Sequence, residues 1–405
     1  MNHNWNEVRL KEYAQILLSN IDKKTYEGEK PVLLCNYTDV YYNKTIHKDI
    51  KFMPATASEA QIKKLTLKYN DVIITKDSES ADDIGIPAIV KYTEPNLVCG
   101  YHLAIIRSKK LNGDYVNYLF QSKIAKEYFL EVCLGFTRVS LNKGDILNLK
   151  FNMPSLLEQT KIANYLDTET SKIDRKISIL EQKYKKLEEY KQSVIFETVT
   201  KGLNSNVAMK YSGIDWIGDI PAHWEIKRVK DTSKIKKGKA VETFFEKDSN
   251  MLPCIDTNFL RGRDNVVYCS NGVKILSDKV LILWDGANAG ELFFNKDIGY
   301  LGSTFGLFNT TLNNQFWFYY LKGIEQYSRD NLTGMGIPHV DGNVLKQTIA
   351  LVPSKQEQEL IVNFLNIETS KIDKKKEIIK KQIELLKEYK QTIIYEAVTG
   401  KKEIL

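Results

Sequence analysis

The stretch Pro154-Ser155-Leu156-Leu157-Glu158-Gln159 returns 199 residues later as Pro353-Ser354-Lys355-Gln356-Glu357-Gln358. The same offset aligns Glu169-Thr170-Ser171-Lys172-Ile173-Asp174 with Glu368-Thr369-Ser370-Lys371-Ile372-Asp373, and Glu189-Tyr190-Lys191-Gln192 with Glu388-Tyr389-Lys390-Gln391. A register held over that length is an internal repeat, and it organises everything around it. Each copy opens with Ser-x-x-Glu after a proline. In such a capping box the serine hydroxyl accepts from an early helix N–H while the glutamate reaches back, so helices are predicted from Ser155 and Ser354.

Beyond a short first helix, apolar residues recur every seven positions at Ile173, Leu180, Leu187 and Val194, and again at Ile372, Ile379, Leu386 and Ile393. This is the seam of a coiled coil. The positions between are mixed, Ile177, Tyr184 and Lys191 in one copy and Lys376, Ile383 and Lys390 in the other, with lysine at the matched place in both. A continuous helix over 171–200 would run on the order of 45 Å. Gly202 and Gly400 supply its stops. One such stripe alone would stand in water, so the two either pack on each other as a coiled coil or cover themselves on a neighbouring domain or another chain.

The repeats, 153–205 and 352–405, leave two segments of one-domain size, 1–152 and 206–351. Both start from a tryptophan, Trp5-Asn6-Glu7-Val8-Arg9-Leu10-Lys11 beside Trp224-Glu225-Ile226-Lys227-Arg228-Val229-Lys230. Short β-like runs such as Val72-Ile73-Ile74, Ala88-Ile89-Val90, Leu103-Ala104-Ile105-Ile106 and Val280-Leu281-Ile282-Leu283 alternate with Gly, Asn and Asp turns. Helical stretches are expected near Tyr115 to Phe129 and Asn314 to Tyr327. The fold class is therefore α+β: two α+β domains joined by two long helices. From the first tryptophan to the first repeat glutamate is 153 residues, but 133 in the second half, and the intervening sequences barely align. Two different recognition modules on one frame would give that pattern, and so would an old duplication whose halves drifted.

The chain has 405 residues, 43% hydrophobic, with 58 Lys and Arg against 51 Asp and Glu, a formal charge of +7. That composition builds cores and tolerates a polyanion without demanding one. Five cysteines, Cys35, Cys99, Cys133, Cys254 and Cys269, show no C-x-x-C spacing, which points to a reducing cytoplasm. Residues 1–10 lack a signal-peptide pattern, and no stretch offers the roughly 20 apolar residues of a membrane helix. No phosphate-binding Gly-x-x-x-x-Gly-Lys-Ser/Thr loop occurs, and His3, His47, His102, His223 and His339 lack metal-ligand spacing. Asp285-Gly286-Ala287-Asn288-Ala289-Gly290 reads as a turn after a strand ending at Trp284. The Asn-Pro-Pro-aromatic motif of amino-methyltransferases is absent. No catalytic residue, metal ligand or cofactor site is expected in this chain.

The side chains suited to binding a duplex are Lys76, Arg138, Lys236, Lys237, Lys239, Arg261 and Arg263, near polar turns, with Asn36, Thr38 and Asn258 as polar readers. Lysine and arginine neutralise phosphates, while arginine and asparagine also read base edges. The lysine-rich run from Lys371 to Lys390 is expected to be mostly the solvated outside of the coil.

Three features together resemble the specificity subunits of type I restriction-modification enzymes: the paired Glu-Gln…Leu-Asp/Asn helices with Val-Thr tails, the stretch Trp216-Ile217-Gly218-Asp219-Ile220-Pro221-Ala222-His223-Trp224, and Asn36-Tyr37-Thr38-Asp39-Val40-Tyr41. The resemblance covers essentially the whole chain. It implies two target-recognition domains in a head-to-tail cyclic arrangement on an antiparallel coiled coil that sets the spacing of two DNA half-sites. It also implies partners: double-stranded DNA, two modification subunits that methylate adenine with S-adenosylmethionine, and restriction subunits that use ATP and Mg. The full Trp-Ile-Gly-Asp-Ile-Pro stretch is missing before Trp5, which sets the two halves apart.

Overall fold

The computed structural model describes residues 5–133, 135, 138–334 and 336–404. His3 and the start of the 1–10 stretch lie outside them. The chain divides into two compact units, Met1–Leu180 with Lys381–Leu405, and Glu181–Lys380. The cuts fall within the two long helices rather than at their starts.

Those helices are Leu156–Lys201, 46 residues, and Lys355–Val398, 44 residues. Each is unbroken, so no separate short helix precedes the heptads. Ser155 and Ser354 cap them as the sequence requires: Glu158 and Glu357 accept from the serine amides at 2.7 and 3.1 Å, and both serine hydroxyls accept from the glutamate amides at 3.3 Å. Gly202 and Gly400, both at φ 73°, end them.

Within each unit one half of each helix lies antiparallel to half of the other. In the first unit Ile173 and Ile177 share a core with Ile393, Ile394 and Ala397, with Ile383 and Leu386 packed at its margin. In the second, Ile195 and Val199 share a core with Ile361, Val362 and Leu365, with Val194 beside it. Of the seam residues Ile173, Ile372, Ile379 and Ile393 are buried, and Leu180, Leu187, Val194 and Leu386 are half-buried.

Both units use one sheet frame. In the first, strands Gln15–Leu18, Leu103–Arg107, Val72–Thr75 and Pro87–Val90 are neighbours in that order, with Thr45–Ile46 added at the edge. In the second the order is Ser233–Lys237, Phe305–Thr310, Lys279–Leu283 and Leu292–Asn295. Period-two alternation buries both faces. Val72, Ile74, Ala104 and Ile106 face the helices, while Ile73, Leu103 and Ile105 face a second sheet. Val280, Ile282 and Phe308 do the same against Leu281, Leu283 and Leu307. That second sheet has three strands in the first unit, Met53–Ala57, Lys30–Cys35 and Leu97–Cys99, and four in the other. The expected helices at Tyr115–Phe129 and Asn314–Tyr327 are each two: Gly113–Gln121 and Lys123–Val132, then Asn314–Gly323 and Glu325–Asp330. Ser122 and Ile324 leave the helical path between them.

Candidate nucleic-acid interface

The signature residues of the repeat turn out to be anchors for the domains. Gln159 Oε1 accepts from the Asn112 amide at 2.8 Å and Gln358 Oε1 from the Asn313 amide at 2.9 Å, at the start of the helix that crosses the sheet in each unit. Tyr118 donates to Asp167 at 2.7 Å, and Tyr319 to Asn366 at 2.8 Å. The indoles of Trp5 and Trp224 donate to Glu158 and Glu357 at 3.2 and 3.1 Å. Each tryptophan also lies where a Cβ on the helix-ending glycine would intrude, Gly400 beneath Trp5 and Gly202 beneath Trp224. The first segment is thus closed onto the end of the second long helix, and the second segment onto the end of the first. Glu357 also takes His223 at 2.8 Å. Burial raises its carboxyl, but the bonds from His223, Trp224 and Ser354 outweigh this and hold it down at about 2.

The matched lysines have a structural reason. Lys390 pairs with Asp174 at 2.6 Å in the first unit and Lys191 with Asp373 at 2.8 Å in the second, the same contact one repeat apart. Lys390 is only 9% exposed, and burial lowers its pKa to about 8, against the pull of Asp174, which must also serve Lys44. Lys376 pairs with Glu188 and lies over the Tyr184 ring. So the lysine-rich run is not wholly solvated: Lys376 and Lys390 belong to the seam.

The candidate duplex-binding residues are drawn together in the first unit and lie on separate elements in the second. In the first unit Thr38 and Arg138 line a polar cavity of about 390 Å³ with Tyr37, Tyr41, Asp77 and His102, and Lys76 pairs with Asp77 at its edge. Lys76 is mostly covered and lies over the Tyr101 ring, 5.4 Å from its centroid. Asn36 is the N-cap residue of helix Tyr37–Tyr41, and its backbone amide donates to Asp39 at 2.7 Å, so its backbone serves the fold. In the second unit Lys236 and Lys237 end an edge strand, and Lys239 follows the turn, all exposed. Lys237 is 3.4 Å from Asp285 and lies over the Trp284 ring. Asn258, Arg261 and Arg263 surround the short helix Thr257–Leu260, where Arg261 pairs with Glu291 and Arg263 reaches Asn258 at 3.4 Å. The turn expected at Asp285–Gly290 is present, its strand ending at Leu283.

Residues 2–189 and 221–388 match the family model for the type I restriction modification DNA specificity domain, one copy in each half. The chain belongs to this family. Among curated relatives of this specificity family, the type I restriction enzyme MjaVIII specificity subunit of Methanocaldococcus jannaschii is 32% identical over 187 residues, 44% of this chain and 43% of that protein. The aligned region thus spans less than half of that relative. The putative MjaX specificity subunit of the same organism is 24% identical over 364 residues, 85% of this chain and 81% of that one. A solved chain from work on complex assembly and conformational transition of the type I R-M system superposes with TM-score 0.77 at 18% identity, covering 98% of each chain, which establishes the shared fold.

As a specificity chain, the protein holds features that pattern reading passed over. His102 and His339 were set aside for lacking metal spacing, yet both accept or donate at an aspartate: His102 Nδ1 lies 2.8 Å from Asp77 and His339 Nδ1 2.8 Å from Asp285. The available signal was position, since each aspartate falls two residues past the same strand of the frame, Val72–Thr75 and Lys279–Leu283. Among the described residues no cluster of three or more His, Cys, Asp or Glu could hold a metal, and no helix is long and apolar enough to cross a membrane.

Proposed function

We propose that this chain reads a bipartite, asymmetric duplex DNA sequence, one half-site by each recognition unit, in the cytoplasm, and carries no catalysis itself. Methylation of adenine with S-adenosylmethionine, and ATP- and Mg-dependent cleavage, then belong to modification and restriction subunits that assemble on it. The observation that carries the reading is the repeated frame with unlike contents. One strand order and one set of anchors recur in both units, while the second sheets and the loops that bear Lys76, Arg138, Lys237 and Arg261 differ. An invariant mount with variable surfaces suits two readers of different base sequences.

The long helices act as a ruler between half-sites and as a platform for two modification subunits. An open apolar groove of about 600 Å³ on the coil of the first unit, lined by Ile179, Leu180, Leu385 and Tyr389, supports the platform role. Ile378 and Tyr190 are exposed at the matched places one repeat away, in the second unit. Exposed apolar clusters of this kind mark protein contact surfaces.

Exchanging residues 206–351 for the corresponding segment of another family member tests the reading. Mapping methylated adenines in cells should then show one half of the target changed and the other kept. A change in both halves together would overturn the modular reading. Duplex affinity should fall steeply with salt as counterion release is suppressed, and a salt-independent affinity would count against phosphate contact.

A further inference from the structure

Each unit places a carboxylate at one point of the common frame, and each surrounds it with a lysine, a histidine and an aromatic ring drawn from different places in the chain. In the first unit Asp77 follows its own lysine, Lys76, and receives His102 from the turn before Leu103–Arg107. The ring beneath the lysine is Tyr101, beside that histidine. In the second unit Asp285 follows its own ring, Trp284, receives Lys237 from the edge strand, and faces His339 across a β-bridge. Inheritance accounts for the aspartates, which share a frame position. It does not account for the cations, which come from unlike elements.

The chemistry of the cluster favours reading a base edge over holding a phosphate. A phosphate site needs uncompensated cations, whereas here each lysine and histidine already meets a carboxylate. Each carboxylate lies 2.8 Å from Nδ1 of its histidine, which fixes the direction in which the ring and its Nε2 point. Arg138 Nη2 lies against the same ring, 3.0 Å from Nδ1 and 2.9 Å from Nε2 of His102, adding further N–H donors to the lining of the polar cavity. His102 sits at φ 71°, a left-handed conformation that costs a side chain energy. Strain of that kind persists where a site over-determines it. Around Asp285 the pairs are half-exposed and add little stability, so stability does not explain building this second set.

We propose that Asp77 and Asp285 are positioning residues of two base-reading sites, each aiming a histidine, His102 or His339, at one base edge of its own half-site. The proposal rests on the reading of the chain as a two-part DNA recognition subunit.

The test is selection from a randomised duplex DNA library by the full chain assembled with its modification subunits, followed by sequencing. Wild type should enrich a two-part sequence. His102→Asn, which suits a left-handed backbone, and Asp77→Asn should both relax the same base position in one half by roughly tenfold and leave the other half intact. His339→Gln and Asp285→Asn should do the reverse. A merely structural role would weaken binding to all sequences alike and leave the preferences standing, and that result overturns the proposal. Should a variant not fold, Arg138→Gln and Lys237→Gln, both at exposed side chains, replace it with the same expected relaxation. Variants that enrich the wild-type sequence undiminished sink the base-reading sites while leaving the DNA reading in place. Wild type that enriches no two-part sequence ends both.

Discussion

The first and second units are built on the same strand order and fastened by the same glutamine, tyrosine and tryptophan contacts, yet they fasten with different force. Trp224 is only 1% exposed, its carboxylate partner also holds His223, and the preceding hairpin of Met209–Tyr211 and Asp219–Pro221 presents Trp216, stacked on Tyr327. Trp5 is partly exposed. The second closure uses a fully covered tryptophan, an aromatic stack and a carboxylate that also meets a histidine, whereas the tryptophan of the first is only partly covered. Asymmetry in a duplicated frame thus lies in the clasp as well as in the reading surfaces.

The largest expected effect follows directly. Trp224→Ala should destabilise the second unit by about 3–5 kcal/mol, and Trp5→Ala should cost the first about half as much, because a half-exposed ring surrenders less buried area. Urea denaturation of the full chain with a probe in each unit checks this, and equal losses would break the comparison. Next comes acid. The folded Glu357 carboxyl sits at about 2, below its ordinary 4.5, so its ionised form stabilises the fold above about pH 4.5 and that support drains away as pH falls toward 2. Discounted for partial exposure, it amounts to on the order of 1–2 kcal/mol. Glu357→Gln should therefore lower stability at pH 7 by about that much and flatten the acid limb for the second unit. Denaturation midpoints at pH 7 and pH 3 measure it; an unchanged acid limb would remove the carboxylate from the account.

The smallest effects concern the seam lysines. Lys390 is buried and Asp174 must be answered, so Lys390→Ala should cost the first unit about 1–2 kcal/mol. The equivalent pair in the second unit is more exposed, and Lys191→Ala should cost less than about 0.5 kcal/mol. Thermal melts of both variants would sharpen the contrast, and a reversed order would mean that burial does not set the difference.

Much of this was legible in the sequence because it is local or periodic. Capping boxes, heptads, glycine stops and alternating strands are written in neighbouring residues, and Ser155, Ile173, Gly202 and Val280–Leu283 sit as the patterns require. The matched lysines were visible but not their purpose, since Lys390 and Asp174 are 216 residues apart in the chain. The same distance hides the candidate site. Lys76 and Arg138 could be named as cations, but their convergence on Asp77 and His102 depends on a strand order that composition does not encode. The single long helices were missed as such because the stretch before the heptads lacks their period.

Because Trp5 rests on Gly400 and Trp224 on Gly202, neither tryptophan depends on which peptide bond happens to be open. A gene reopened in the exposed stretch near Asn204, with the segments that carry Gly400 and Trp5 joined by a linker, would encode the same set of contacts in a new order. For this architecture, where translation starts is a matter of genetics more than of folding.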